Sequence, residues 1–222
     1  MNNEYISNVF DILVPATIDT IYMVVIATVI ATLIGFVLGA ILYFTQKDGL
    51  IPNYGTLNFI LNSIVNIGRS IPFAILILAL FPLSSLVVGT RIGRDAAIVP
   101  LTISAIPFIA RLVEASFNEI SKGVIEVAIT SGANIPQILF KVLLPETIHS
   151  QVLNITNLCI SIIGYSAMAG TVGGGGLGDV ALRYGFQRSQ NDMMIYPIII
   201  LVFFVYLVQN LGTHFSKKLS KI

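Results

Sequence analysis

The distribution of charge constrains this chain more than any other feature of its sequence. No Asp, Glu, Lys or Arg occurs in residues 21–46, 49–68, 70–90, 147–178 or 193–216. A helix needs about 20 predominantly apolar residues to cross the hydrocarbon core of a bilayer. Of the 222 residues, 55% are hydrophobic and 10% charged, whereas soluble domains carry about 25% charged residues. The mean hydropathy is +0.90. A water-soluble globule cannot hide this much apolar surface, and a disordered chain would be far more polar. The expected fold is therefore all-α, a polytopic integral membrane protein. Five spans are expected, at about 18–44, 58–83, 96–113, 148–172 and 194–212. The third is short between Ala96 and Arg111, and reaches full length if Arg111 snorkels towards the headgroups. The residues before the first span include Glu4 and Asp11 but no base, the wrong flank for a secretory signal.

An odd number of spans places the two ends on opposite faces. With the N-terminus outside, the inner segments hold Lys47, Arg111, Lys122, Lys141, Lys217, Lys218 and Lys221. The outer segments then hold only Arg91, Arg94, Arg183 and Arg188, with Arg69 left within the membrane. Positive residues accumulate on the cytoplasmic side, so the expectation is N-out and C-in. The basic tail from Ser216 suits anionic lipid headgroups. A net charge of +1 offers no footprint for nucleic acid. Cys159, the lone cysteine, has no sulfur partner and reads as a small hydrophobe.

The longest polar connection, residues 114–146, is patterned rather than random. Val124, Ile125 and Ala128, then Ile135, Ile138, Leu139 and Val142, recur at helical spacing. Gly132 interrupts the pattern, and Pro136 suits the first turn of a second helix. The segment is expected to be a helix–turn–helix at the cytoplasmic surface, with Pro145 ending the second helix before span four. Its apolar side either docks on a partner protein or lies on the membrane surface.

The same segment reads Glu126, Val127, Ala128, three residues, Gly132, Ala133, eight residues, then Val142, Leu143, Leu144 and Pro145. It resembles the EAA loop of ABC importer permeases. Val127 stands where that motif has a second alanine, and Val142 where isoleucine is commoner. Further stretches resemble the methionine importer permeases: 69–73 (RSIPF), 97–101 (AIVPL), 107–111 (PFIAR), 164–168 (GYSAM) and 173–178 (GGGGLG). The resemblance implies a type I-like importer permease. It further implies a homodimer, two ATP-binding subunits, an external substrate-binding protein and a bacterial inner membrane. It assigns ATPase coupling to Glu126, Ala128, Gly132, Ala133, Leu144 and Pro145. No cofactor is expected in this chain, since ATP and Mg belong to the ATPase; the sequence contains no GxxxxGK[ST] phosphate loop.

Several residues admit two readings. Tyr165 and Met168 share a helix face, and they either line or gate a translocation path or pack a close helix seam among Gly164, Ala167, Ala169 and Gly170. Arg69 is either an intramembrane path residue or an interfacial anchor, with Glu114 as its expected partner. Residues 173–178 lack the Lys and Ser/Thr of a phosphate cradle and read as a flexible outer loop. Pro72, Pro82, Pro100 and Pro107 are expected to kink spans two and three. His149 and His214 read as interfacial. No catalytic constellation stands out. The competing readings are an ABC importer permease for another amino acid or small molecule and, less favoured, an ion-driven secondary transporter, for which paired repeats and central intramembrane acids are missing.

Overall fold

The computed structural model of the protein describes residues 2–47, 49–51 and 54–220, with side chains from Val9 onward. Lys221 and the side chain of Glu4, used above for orientation, lie outside the described residues. The helices, in order, are α1 (Asn2–Thr45), α2 (Gly55–Ser70), α3 (Phe73–Val88), α4 (Arg94–Asn118), α5 (Lys122–Thr130), α6 (Ile135–Ile138), α7 (Leu144–Ala169), α8 (Gly176–Val180) and α9 (Asn191–Leu219). Wide π-type turns at Leu139–Leu143, Gly170–Gly174 and Ala181–Phe186 extend α6, α7 and α8. Among the described residues, four segments are long and apolar enough to cross a membrane: Val9–Thr45, Arg94–Asn118, Ile135–Gly174 and Asn191–Leu219. The bent pair α2–α3 supplies a fifth when counted as one span.

Helices gain little from burying apolar surface against one another in lipid, so close packing has to hold them together. Here α1 and α4 run parallel. Asp19 meets Arg94 at one end of the pair, and Gln46 meets Asn118 at the other. Gly35 and Gly39 form the seam between them. A Cβ at Gly35 would come within 2.1 Å of Ile109 Cγ2, and one at Gly39 within 2.5 Å of the Ala110 carbonyl. The core is built mainly on α1, α4 and α7, with Phe73 and Ile77 from α3. A smaller cluster joins Val9, Leu13 and Ala16 of α1 to Leu177, Val180 and Met193.

The structure corrects three expectations. Span two, expected over 58–83 with a kink at Pro72, is broken outright there, and α2 and α3 meet at 110°. Pro72 disfavours helical backbone at the residue before it. Ile71 is accordingly extended (φ −81°, ψ 123°), and α3 restarts immediately after Pro72. Pro145 does not end the second hairpin helix. The run from Ile135 to Gly174 is one span, and the π turn at Leu139–Leu143 precedes the proline. There the Leu144 N–H bonds back to the Leu139 carbonyl, so the helix absorbs a residue that lacks an N–H. Finally, residues 173–178 are not a loose outer loop. Gly173, Gly175 and Gly176 all have positive φ, and Gly176, Leu177 and Gly178 are buried. A Cβ at Gly178 would lie 2.1 Å from the Ala167 carbonyl, so α8 packs backbone to backbone on the end of α7.

Candidate functional site

The hairpin between α4 and α7 owes its corner to a helix cap. Ser131 follows the last residue of α5, and Gly132 comes next at φ +80°. The Gly132 N–H donates to the Ile129 carbonyl (2.9 Å), and the Ala133 N–H to the Ala128 carbonyl (3.0 Å). These are the two bonds of a Schellman motif, with glycine at the position that requires left-handed backbone. The spacing from Ala128 to Gly132 is thus the spacing of a helix stop. A capping box restarts the chain: the Gln137 N–H donates to Asn134 Oδ1 (3.0 Å), and the Asn134 N–H donates to Gln137 Oε1 (2.9 Å). Pro136 sits in that first turn.

One side of the hairpin is fixed to the protein. Ile125 and Ile138 are buried in the main core, and Ala128, Ala133, Leu139 and Val142 pack on it. The other side is apolar and open: Val124, Val127, Ile129, Ile135 and Phe140 are exposed, Val127 to 66%. Glu126 is exposed too and, with Lys122, lines a cavity of about 220 Å³ that reaches Tyr43, Gln46, Leu50 and Asn118. Leu144 is half-buried and Pro145 exposed, both on the helix that continues into the membrane. The six residues assigned to coupling therefore cluster on the hairpin and on the first turn of α7.

The second region is an open face of α7. Asn157, Ser161, Gly164, Met168 and Thr171 follow one another at steps of three and four residues, which is one face of a helix. Gly164 has no neighbouring atom within 4 Å of a would-be Cβ, and Met168 is 48% exposed. Tyr165, half-buried, stacks on Phe73 just past the α2–α3 break (centroids 4.7 Å apart, planes at 16°). Arg69 lies in the last turn of α2, exposed. It does not pair with Glu114. That carboxylate accepts from Arg111 Nη1 at 2.6 Å on its own helix. Arg111 Nη2 also donates to Asn62 Oδ1 (2.8 Å) and Asn66 Oδ1 (2.9 Å) on α2. Arg111 thus has partners inside the protein, rather than being only a snorkelling end residue. The sequence signal for them is the row Asn58, Asn62 and Asn66, spaced four apart in an apolar segment.

Other polar groups hold elements in place. Asp19 pairs with Arg94 (2.7 Å), whose guanidinium also lies over the Tyr22 ring. The Thr20 hydroxyl accepts from the Leu177 N–H (2.9 Å), fixing α8 to α1. Asp179 bonds Arg183 one turn later on the same segment, which pushes the Arg183 pKa further up. The Ser216 hydroxyl donates to the His149 carbonyl, joining α7 to α9. His214 lies edge-on to Phe215, and Cys159 packs beside the main core.

The family described as binding-protein-dependent transport system inner membrane component matches residues 49–221. The chain is 48% identical, over 91% of its length and 89% of the relative's, to a probable D-methionine transport system permease protein MetI of Vibrio cholerae. It is 39% identical, over 93% of its length and 92% of the relative's, to the methionine import system permease protein MetP of Bacillus subtilis. A solved structure of the MetNI methionine ABC transporter in an inward-facing conformation contains a chain that superposes with a TM-score of 0.91 at 41% identity. That superposition covers 94% of this chain and 96% of the other. The fold extends to a chain of an amino acid ABC transporter solved with histidines, with a TM-score of 0.69 at 20% identity. With several apolar helices, a capped hairpin between α4 and α7 and these relatives, the chain belongs to the binding-protein-dependent transport system inner membrane component family.

Proposed function

We propose that this chain is the membrane-spanning permease subunit of an ATP-driven importer of methionine. It works as a homodimer with two ATP-binding subunits and an external substrate-binding protein. The observation that carries the reading is the hairpin around Gly132, rigidly capped, seated in the core by Ile125 and Ile138, and apolar on its free side. A joint that transmits force to a partner needs that combination. A helix lying passively on lipid would need no such tight corner. The names of its relatives add the substrate class.

In this reading Glu126, Ala128, Gly132, Ala133, Leu144 and Pro145 form the coupling surface. The open face of α7 with Met168, together with Tyr165 and Arg69, faces the path between the two copies. Met168 is a flexible apolar plug suited to a gate that opens and reseals. The chain binds no ATP, Mg or other cofactor of its own, and it catalyses no reaction; hydrolysis takes place on the ATPase. Its N-terminus lies outside the cytoplasmic membrane and its C-terminus inside.

The test is to purify the chain with the ATPase that accompanies it and reconstitute the complex with its binding protein in liposomes. ATP-dependent methionine uptake is expected. Gly132→Asp is expected to abolish uptake while the permease still enters the membrane. Uptake of a different amino acid instead of methionine would replace the substrate assignment. Undiminished methionine uptake by the Gly132→Asp variant would remove the hairpin from the mechanism.

A further inference from the structure

We propose that Arg111 is a positioning residue that makes α2 move together with α4, so that motion of the coupling hairpin reaches the break at Ile71–Pro72. The inference rests on the permease reading above. It starts from how weakly α2 is held by packing. Val65 is the one fully buried residue of the helix. Phe59, Ile60, Ile64 and Ile67 are all exposed. Its close apolar contact with α4 is at Gly68, where a Cβ would lie 2.8 Å from Pro107.

Polar groups do the rest. Asn58, Asn62 and Asn66 lie on one face of α2. Asn58 Nδ2 donates to the Leu42 carbonyl (2.9 Å) and to Thr45 Oγ1 (3.0 Å) at the end of α1. Asn62 Nδ2 donates to Asn58 Oδ1 (2.8 Å) and to the Asn58 carbonyl (3.1 Å). Arg111 then ties Asn62 and Asn66 to Glu114, one turn before α4 ends. Asn118 continues the network: its Nδ2 donates to the Glu114 carbonyl (3.0 Å), and its Oδ1 accepts from Gln46 Nε2 (3.2 Å). Helix α4 stops at Asn118, and the hairpin helix α5 begins at Lys122. A guanidinium is planar, permanently charged and carries several donors, so it can hold acceptors on two helices at once. Charge-assisted bonds are also the stronger kind. At its other end α2 runs into the break, beyond which Phe73 stacks on Tyr165. Arg111 is therefore the link through which displacement at the hairpin turns the half-span, and with it the Phe73–Tyr165 contact beside the open face of α7.

The experiment uses the reconstituted transporter with its own ATPase and binding protein, and reads methionine taken up per ATP hydrolysed. Arg111→Ala should lower that ratio about tenfold, within the usual range for coupling between sites. Arg111→Lys, with a single compact ammonium, should lower it severalfold, as should Asn62→Leu, which removes an acceptor on α2. Hydrolysis and the amount of ATPase that copurifies should stay near wild type in all three. An unchanged ratio would overturn the proposal. Loss of the assembled complex in Arg111→Lys and Asn62→Leu would overturn it too, because the network would then serve assembly alone. A wild-type chain that recruits no ATPase defeats the permease reading itself, whereas a working wild type with normally coupled variants defeats only the role of Arg111.

Discussion

Gly132 has nothing within 4 Å of the place a Cβ would occupy, so crowding does not explain its glycine. Its φ of +80° does. Left-handed backbone costs an L-residue roughly 1–2 kcal/mol, and Asn tolerates it better than Ala. Gly132→Ala should therefore lower the thermal stability of the purified complex by about that amount, and Gly132→Asn by less. Equal losses would mean that the backbone conformation is not what the position demands. This residue was legible in the sequence because a Schellman cap is local: its two hydrogen bonds run from the Gly132 and Ala133 N–H groups to the Ile129 and Ala128 carbonyls. Arg111 was legible only as a charge near the end of a span. Its partners, Asn62 and Asn66, lie 49 and 45 residues away, and no local rule joins them.

The same contrast holds for whole elements. Four spans follow from length and apolar content, and their rough positions could be read directly. The geometry of span two could not. Pro72 announces a perturbation, but the same residue gives a mild kink in one setting and a 110° break in another. What separates the two is whether the freed backbone groups find partners, and that depends on tertiary surroundings. The glycine run misled for a related reason. Glycine serves a loose linker and a close backbone approach equally well, and composition does not tell them apart. Here Gly170 and Gly178 allow α7 and α8 to touch, with would-be Cβ atoms 2.4 Å from the Asp179 nitrogen and 2.1 Å from the Ala167 carbonyl. Gly178→Val should thus destabilise the protein by about 1–3 kcal/mol, the usual cost of overpacking, seen as a lower melting temperature in detergent. A neutral substitution would restore the flexible-loop picture.

At the scale of the molecule, two of the surfaces left open in the protomer bear on the mechanism. One is the polar and small-residue face of α7, from Asn157 to Thr171. The other is the apolar side of the hairpin. In the proposed mechanism the first faces the second copy and the path between them, and the second docks on the ATPase. The mechanism needs both, but the second is the easier to probe, because Val127 belongs to it and is 66% accessible in the protomer. The most direct measurement places a single cysteine there (Val127→Cys, with Cys159→Ala) and labels it with a water-soluble maleimide, with and without the copurified ATPase. Rapid labelling of the free permease and strong protection in the complex are expected. Labelling at the same rate in both states would show that the hairpin does not enter the ATPase, and the coupling mechanism would fall with it.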